Sequence, residues 1–294
     1  MIDMHNDLLS VAFTCYLKDD YKPLEVFKNY ISEGEVLGIV ANLYFMSIDE
    51  MKTKLDENYY GKYSILDMFK ISKKILNEYI PGIDYLYSIE GCDYLEINEL
   101  KQLKEEGLNS ILLVWNNPNK YGSGDRDNYG LTELGKEFIK EAMNLGLGID
   151  LSHANEKTYN DIIDLVEKNN YKKVYASHSN IRSIFDNSRN LSDAQLNRLP
   201  GKLGLVAVDL FVSNEDEYVE HIRYASKLLG VDRVLIASDN MDYTSIEYKD
   251  TKLFEYNLIN KRLRYKLRKY FDNEDIEKIM YKNGKNLFEL IRSE

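Results

Sequence analysis

Three of the four histidines in this chain stand, together with carboxylates, at the ends of short apolar runs or directly after them. The residues in these positions are His5, Asp7, Glu90, His153, His178 and Asp239. Neutral imidazole and carboxylate oxygen are ligands of divalent metals, of zinc first, with manganese or cobalt as alternatives. The residue types therefore predict a divalent-metal site built from distant parts of the chain.

Each of these residues carries little weight alone. A single histidine at a strand end is more often a structural group than a ligand, and an isolated carboxylate there is commonly a helix cap. Three such histidines are hard to explain by accident when the chain has only four. The fourth, His221, lies inside the helical segment Tyr218-Val219-Glu220-His221-Ile222 and is interpreted as structural.

The elements that must position these residues are eight apolar runs of strand length, most of them separated by segments of helical period. The runs are Ile2–Met4, Val36–Phe45, Tyr85–Ile89, Ser110–Trp115, Gly148–Leu151, Lys173–Ala176, Leu203–Leu210 and Arg233–Ala237. The helical segments are Ser64–Glu78, Ile97–Glu106, Leu131–Leu145, Glu156–Glu167, Ser192–Leu199 and Glu217–Leu229. This alternation predicts an α/β fold, a (β/α)8 barrel of TIM type, with a doubly wound open sheet as the rival.

A barrel would explain why chemistry-bearing residues follow the strands. The carboxyl ends of parallel barrel strands share one face, and that face carries the active site. The C-terminal segment is helical again, with Leu263 and Leu267 on one face and Ile276, Ile279 and Met280 on another. We expect these extra helices to pack on the barrel, because about 250 residues suffice for such a fold.

Charge and composition exclude several classes of protein. The chain has 38 Lys and Arg against 49 Asp and Glu, a formal net charge of −11, which argues against nucleic acid or an anionic membrane as partner. Two cysteines, Cys15 and Cys92, cannot form a disulfide framework. The chain shows no signal peptide and no apolar run long enough to span a bilayer, so a cytoplasmic location is expected.

The same residues stand in motifs that resemble the membrane dipeptidase (renal dipeptidase) family of zinc peptidases, within the amidohydrolase-like barrels. The resemblance runs nearly end to end, and six short motifs follow in the family's order. These are His5-Asn6-Asp7-Leu8, Ile89-Glu90-Gly91, Ile149-Asp150-Leu151-Ser152-His153, Ser177-His178-Ser179, Arg189-Asn190-Leu191 and Ser238-Asp239. The resemblance implies that residues 1–294 form a single metal-dependent hydrolase barrel domain.

The resemblance also implies a binuclear site with two Zn²⁺ per chain. His5 and Asp7 would hold one ion, His153 and His178 the other, and Glu90 would bridge them. A hydroxide between two such ions would attack the peptide bond of a dipeptide. The implied activity is that of a metallopeptidase acting on short peptides.

Three further roles come from the resemblance. Asp239 matches the family's catalytic carboxylate, which would shuttle a proton to the leaving amine. Arg189 matches the residue that binds the free carboxylate of the substrate. Trp115 stands where the family commonly has a substrate-contacting histidine, so it would either bind substrate or form a core or pocket wall. The family relationship also implies a homodimer.

Two other functions stay open. A related metal-dependent amidohydrolase of the same barrel class would act on another amide or on a lactone. An inactive relative would bind metal and serve as a scaffold. Departures from the family pattern motivate both, namely Trp115, Gly91-Cys92-Asp93 after Glu90, and Asn240-Met241-Asp242 after Asp239.

Overall fold

A computed structural model of the protein describes residues 1–44, 63–206, 215–239 and 259–293. Its strands are β1 (Ile2–Asn6), β2 (Gly38–Tyr44), β3 (Asp84–Glu90), β4 (Ser110–Leu112), β5 (Gly148–Asp150), β6 (Val174–Tyr175), β7 (Leu203–Val206) and β8 (Val234–Ala237). Strands β1 to β6 form one parallel sheet in sequence order, and β7 pairs in parallel with β8.

Two seams join these sheets into a closed ring. A parallel bridge between Ala176 and Leu203 connects the end of β6 to β7. On the other side, the backbone N–H of Asp239 donates to the carbonyl of His5 at 3.0 Å, which places β8 beside β1. The strands therefore follow one another around a curled parallel sheet, and the predicted (β/α)8 barrel is confirmed. The open-sheet rival is wrong, because a doubly wound sheet would reverse its strand order.

Helices follow most strands and cover the outside of the sheet. They are α1 (Leu8–Lys18), α2 (Lys22–Glu33), α3 (Ile65–Tyr79), α4 (Leu100–Glu105), α5 (Glu133–Asn144), α6 (Glu156–Lys168), α7 (Asp193–Arg198), α8 (Glu215–Leu229), α9 (Arg264–Leu267), α10 (Asn273–Glu277) and α11 (Asn283–Arg292). Short 3₁₀ turns lie at Ile97–Glu99 and Val231–Arg233, and π turns at Ile259–Leu263 and Lys278–Lys282.

Side-chain caps explain where several of these helices begin. The hydroxyl of Thr132 accepts the backbone N–H of Gly135 at 3.0 Å at the start of α5. Ser64, Asn155 and Ser192 cap α3, α6 and α7 in the same way. Such caps satisfy backbone donors that have no partner inside the helix.

The C-terminal helices pack on the barrel as predicted. Leu287, Phe288 and Ile291 of α11 lie in one apolar cluster with side chains such as Ile2 and Val40 that fill the barrel interior. Because α11 approaches the first residues of the strands, it closes the end of the barrel opposite to the predicted site. Both predicted faces, Leu263 with Leu267 and the set around Ile276, are buried.

The structure differs from the sequence expectations at several boundaries. The predicted strand Ser110–Trp115 ends at Leu112, so Trp115 belongs to the following loop. Phe45 and residues 207–210, at the ends of two other predicted strands, lie outside the described residues, as does Asn240-Met241-Asp242.

Helices α1 and α2 are absent from the sequence prediction. Helix α1 starts directly after Asp7 and buries Leu8, Leu9, Val11, Ala12 and Cys15. Leu8, Val11, Ala12 and Cys15 follow i, i+3, i+4, i+7 spacing, so the sequence did carry a signal for this helix.

Among the described residues, none of the helices combines the length and apolar character needed to cross a lipid bilayer.

Candidate metal centre

The barrel brings the six chemistry-bearing residues to the carboxyl ends of its strands. β1 carries His5 and leads through Asp7 into α1, and Glu90 is the last residue of β3. His153 and His178 lie just beyond β5 and β6, and Asp239 lies just beyond β8. All six side chains are buried, with at most 9% of any of them exposed.

The strand ends turn sharply at these residues. His153 and Asp239 adopt the left-handed backbone region with φ of 65° and 51°, and Gly91, directly after Glu90, has φ of 78°. Non-glycine residues in this region cost roughly 1–3 kcal/mol and concentrate at functional sites. The β1–β2 register also shifts between Asp3 and Asn6, beside His5. The local backbone is therefore bent where side chains must point into the site.

Glu90 lies at the centre of the cluster. Its Oε2 is 2.9 Å from Nε2 of His5, and its Oε1 is 3.1 Å from Nε2 of His153. Nε2 of His178 is 3.9 Å from the same Oε1 and 2.8 Å from Nε2 of His153. The two carboxylate oxygens of Glu90 thus face different histidines.

The cluster divides into two halves that share Glu90. We call His5, Asp7 and Asp239 the carboxylate half, because Oδ1 of Asp7 and Oδ1 of Asp239 lie 3.8 Å and 3.7 Å from Nε2 of His5. We call His153 and His178 the imidazole half. Three sets have ligating atoms within 4.8 Å of one another, namely His5 with Asp7 and Glu90, His5 with His178 and Asp239, and Glu90 with His153 and His178.

These residues fit a divalent cation. Nε2 of His5 is buried and makes no hydrogen bond to any of the described residues, although carboxylate oxygens surround it. A buried polar atom without such a partner is costly, and a cation would satisfy it. The nitrogen and carboxylate donors are those of zinc, and also of manganese or cobalt. The structure therefore contains candidate His/Glu/Asp metal sites.

The surroundings shift the histidine pKa values in opposite directions. Burial alone would lower the pKa of His5, but the carboxylates of Glu90 and Asp239 raise it to about 10. Burial lowers the pKa of His153 to about 3, and the nearby Arg189 cation adds to that shift. The carboxylate half therefore attracts positive charge, whereas His153 in the imidazole half stays neutral.

The carboxyl groups of Asp239 and Glu90 also differ in the direction of their pKa shifts. Burial raises the pKa of Asp239 to about 6, and repulsion from Glu90 adds to the rise. Burial would raise the pKa of Glu90 as well, but the neighbouring His5 and His153 hold it well below its usual range. Glu90 is therefore a permanent anion, whereas Asp239 is poised to exchange a proton near neutral pH.

Arg189 lies beside the imidazole half with only 7% of its surface exposed. Its Nη1 donates to Oγ of Ser179 at 3.0 Å and its Nη2 to the backbone carbonyl of His178 at 2.9 Å. Its Nε makes no hydrogen bond within the described part of the chain. The structure thus holds a buried guanidinium whose Nε has no partner among the described residues, while each terminal nitrogen is held by one hydrogen bond.

Trp115 is half-buried in the loop after β4. Its ring centroid is 6.1 Å from that of His153 and 5.3 Å from that of Tyr44, and the Arg126 guanidinium lies 5.5 Å from it. Trp115 therefore forms part of the wall next to the cluster rather than part of the barrel core.

His221 lies on α8, away from the cluster, as interpreted from the sequence. Its Nδ1 accepts the backbone N–H of Ile181 at 3.1 Å. This bond anchors the segment that follows His178, so the histidine has a structural role.

Three polar residues that contact the cluster were not singled out by sequence reasoning. Oδ1 of Asn116 is 2.6 Å from Nδ1 of His153, the amide nitrogen of Asn42 is 3.0 Å from Nδ1 of His5, and Ser177 contacts two histidines. A signal existed for Asn42, because an amide inside the apolar run Val40-Ala41-Asn42-Leu43 is unusual. Ser177 stands in the motif Ser177-His178-Ser179 but was given no role there, and Asn116 resembles an ordinary loop residue.

Comparison with known proteins now decides the family. The sequence model of the membrane dipeptidase family, peptidase family M19, matches residues 42–292. The chain belongs to this family. The match covers Glu90, His153, His178 and Asp239, and begins after His5 and Asp7.

Two sequence relatives illustrate the range of this membrane dipeptidase family. An uncharacterized protein of Acinetobacter calcoaceticus is 32% identical over 158 residues, which are 46% of this chain and 49% of that protein. An uncharacterized dipeptidase of Schizosaccharomyces pombe is 28% identical over 162 residues, 51% of this chain and 38% of that protein. The matched part of the chain thus spans half or less of the length of either relative.

Two solved structures have the same fold over nearly the whole chain. A metallo peptidase from Rhodobacter sphaeroides, liganded with a phosphinate mimic of the dipeptide L-Ala-D-Ala, has a TM-score of 0.76 at 19% identity, covering 99% of this chain and 98% of that one. A dipeptidase of family M19 has a TM-score of 0.75 at 20% identity, covering 98% and 97%. At such identities the likeness concerns the barrel fold.

Proposed function

We propose that this chain is a binuclear, zinc-dependent dipeptidase. The observation that carries the proposal is Glu90, whose Oε2 faces His5 at 2.9 Å while its Oε1 faces His153 at 3.1 Å. A carboxylate with one oxygen toward each half of a cluster is suited to bridge two cations. Membership of the membrane dipeptidase family supports the same activity.

The residues divide between the two proposed ions as the family resemblance implies. His5 and Asp7 hold one ion, His153 and His178 hold the other, and Glu90 is shared. Two bound divalent ions supply a polarised substrate carbonyl and a water activated at neutral pH. The nitrogen and oxygen donors suit Zn²⁺, with Mn²⁺ or Co²⁺ as alternatives.

Asp239 is the proposed proton-transfer group. Its Oδ1 lies 3.7 Å from Nε2 of His5, and its pKa is raised to about 6 by burial. A carboxyl with this pKa takes a proton from the attacking water and delivers it to the leaving amine with little driving force lost in either direction.

Arg189 is the proposed binding group for the free carboxylate of a dipeptide. Ser179 and the His178 carbonyl hold its two terminal nitrogens, so the guanidinium is fixed before substrate arrives. A buried guanidinium donates stronger hydrogen bonds than an exposed one, and its Nε remains available. Such recognition restricts the enzyme to very short peptides.

Trp115 is proposed to contact the substrate from the loop after β4. Together with Tyr44 it presents aromatic surface beside His153. The indole N–H can donate one hydrogen bond but carries no charge, so Trp115 replaces only a neutral contact of the family's histidine. The dipeptide mimic bound to the Rhodobacter sphaeroides protein supports a short peptide as the substrate class.

A panel of L,L and L,D dipeptides, N-acylated amino acids and lactones, assayed with and without zinc, tests the proposal. We expect close to two zinc ions per chain and dipeptide turnover that chelation abolishes and zinc restores. Turnover of acylated amino acids or lactones alone would instead favour another metal-dependent amidohydrolase. Two bound ions without any turnover would favour an inactive relative.

Two expectations from the sequence stay predictions. The homodimer can be checked by the mass of the purified chain in solution. A cytoplasmic location can be checked by fractionation of cells that express the chain.

A further inference from the structure

Ser177 contacts one histidine from each half of the cluster. It is fully buried, and its Oγ lies 2.6 Å from Nδ1 of His178 and 3.2 Å from Nδ1 of His5. The two imidazole rings lie side by side, with centroids 3.6 Å apart and planes tilted by 32°. A single hydroxyl therefore stands behind both rings.

Both rings direct their other nitrogen toward Glu90. Nε2 of His5 lies 2.9 Å from Oε2 of Glu90, and Nε2 of His178 lies 3.9 Å from Oε1. A neutral imidazole that offers its Nε2 lone pair to a cation carries its proton on Nδ1. A buried N–H needs an acceptor, and a hydroxyl oxygen has two lone pairs, enough for both rings.

The surroundings of Ser177 fix its position. Oδ1 of Asp150 accepts the backbone N–H of Ser177 at 2.9 Å and that of Ser152 at 3.0 Å. The Oγ of Ser152 lies 3.4 Å from the Oγ of Ser177 and accepts the backbone N–H of His178 at 3.0 Å. Ser152 can therefore take the proton of the Ser177 hydroxyl, which leaves both lone pairs of Ser177 for the histidines.

We propose that Ser177 is a positioning residue for both halves of the metal centre. Its hydroxyl accepts Nδ1–H of His5 and of His178 and so holds both Nε2 atoms toward the ions. This inference rests on the proposed binuclear site and adds to it a residue that couples the two ions.

Two neighbouring amide side chains, Asn116 and Asn42, each contact only one histidine of the cluster. Oδ1 of Asn116 lies 2.6 Å from Nδ1 of His153, so it acts on one ring of the imidazole half. Asn42 lies beside the same atom of His5, with its amide nitrogen 3.0 Å from Nδ1, and an amide nitrogen can only donate. The Nδ1–H of His5 therefore requires the Asn42 amide in the turned orientation, in which Oδ1, without a partner among the described residues, becomes a second acceptor. Loss of the Ser177 hydroxyl should therefore weaken the site of His178 more than the site of His5.

The test compares Ser177→Val with Ser177→Thr in the full chain, because the two side chains have similar shape and only threonine keeps the hydroxyl. Dissociation constants for Zn²⁺ are measured by competition with a chromophoric chelator, which does not depend on activity. Removing a hydrogen-bond partner of a ligating histidine typically weakens metal binding about 10- to 100-fold. We expect Ser177→Val to raise the dissociation constants of both zinc ions by such factors. The constants of Ser177→Thr should stay within about threefold of those of the parent.

Three further variants sharpen the result. Ser177→Ala repeats the loss of the hydroxyl without the added methyl group, should valine disturb folding. Asn116→Ala is expected to weaken the binding of one zinc ion only, the one proposed for His153 and His178. Ser72→Ala removes another buried hydroxyl, on α3, and should leave both constants unchanged.

Equal zinc binding by Ser177→Val and Ser177→Thr, or a loss confined to one ion in Ser177→Val and Ser177→Ala, would overturn the inference while leaving the proposed function intact. A parent chain that binds fewer than two zinc ions would contradict the binuclear proposal itself, and this inference with it.

Discussion

The two halves of the cluster meet at Glu90 but are built on different physical principles. In the carboxylate half, His5 lies among anionic oxygens that raise its pKa to about 10. In the imidazole half, burial and the Arg189 cation lower the pKa of His153 to about 3. The first half attracts a cation by its charge, whereas the second offers neutral nitrogen atoms held in place by hydrogen bonds.

Each half is also held by a buried aspartate within its first strand. Asp3 accepts the backbone N–H of Ser238 at 2.7 Å and its hydroxyl at 2.6 Å, and so ties β8 to β1. Asp150 accepts the N–H groups of Ser152 and Ser177, and so ties the ends of β5 and β6 together. A buried aspartate thus positions the side chains of both halves, although the two halves differ in charge.

The largest expected effect comes from Glu90, which both halves share. Glu90→Gln removes the anion between His5 and His153, so we expect loss of both bound ions and a fall in dipeptide hydrolysis beyond the roughly 10²- to 10⁴-fold that loss of a proton-transfer group causes. Elemental analysis and kcat/KM measure the two losses. The exposed Glu78→Gln on α3 serves as control. Retention of one tightly bound ion would show that the halves are independent.

Asp239→Asn should separate chemistry from metal binding within the carboxylate half. The amide keeps the shape of the side chain but cannot exchange a proton, so we expect kcat to fall roughly 10²- to 10⁴-fold while the metal content stays at the parent value. If metal is lost in parallel with activity, Asp239 acts as a ligand instead of a proton carrier.

The two buried aspartates should differ in their effect on folding. Asp3→Ala leaves the Ser238 N–H, the Ser238 hydroxyl and the His5 N–H without this acceptor, whereas Asp150→Ala leaves two backbone N–H groups. At about 1–3 kcal/mol for each orphaned buried donor, Asp3→Ala should reduce the free energy of unfolding more.

Denaturant unfolding of the metal-free proteins measures this difference. Asp3→Asn and Asp150→Asn keep an acceptor oxygen and should lose less. An equal or greater loss in Asp150→Ala would mean that the contacts between the ends of β5 and β6 support the barrel at least as much as those between β8 and β1.

The smallest expected effect concerns the support of the imidazole half by His221. Burial lowers the pKa of His221 to about 4, so the unfolded chain, with the usual histidine pKa of about 6.5, binds this proton more readily than the folded one. Stability is therefore lost as the pH falls below about 6.5, by about 1 kcal/mol between pH 7 and pH 5.5. His221→Asn keeps an acceptor for the Ile181 N–H and does not titrate between pH 5.5 and pH 7.

Unfolding measured at both pH values should show a smaller drop for His221→Asn than for the parent. The same drop in both proteins would place the pH-sensitive group elsewhere.

The barrel and the members of its cluster could be predicted because their signals are local. Apolar runs of strand length and helical spacing need only neighbouring residues, and the residues at the strand ends follow directly from them. Helix α1 was missed although Leu8, Val11, Ala12 and Cys15 are spaced as one buried helical face, so its signal was also local. Asn116 and Ser177 were missed because their contacts depend on how loops fold over the strands.

The sequence by itself determined the residue types, their places at strand ends and the membrane dipeptidase motifs. Only the tertiary structure decided that the two oxygens of Glu90 face different histidines, that Ser177 lies behind two rings, and that His5 and His153 shift their pKa values in opposite directions. These properties arise from distances and burial between residues far apart in the chain, because electrostatic interactions strengthen when the closed barrel excludes water.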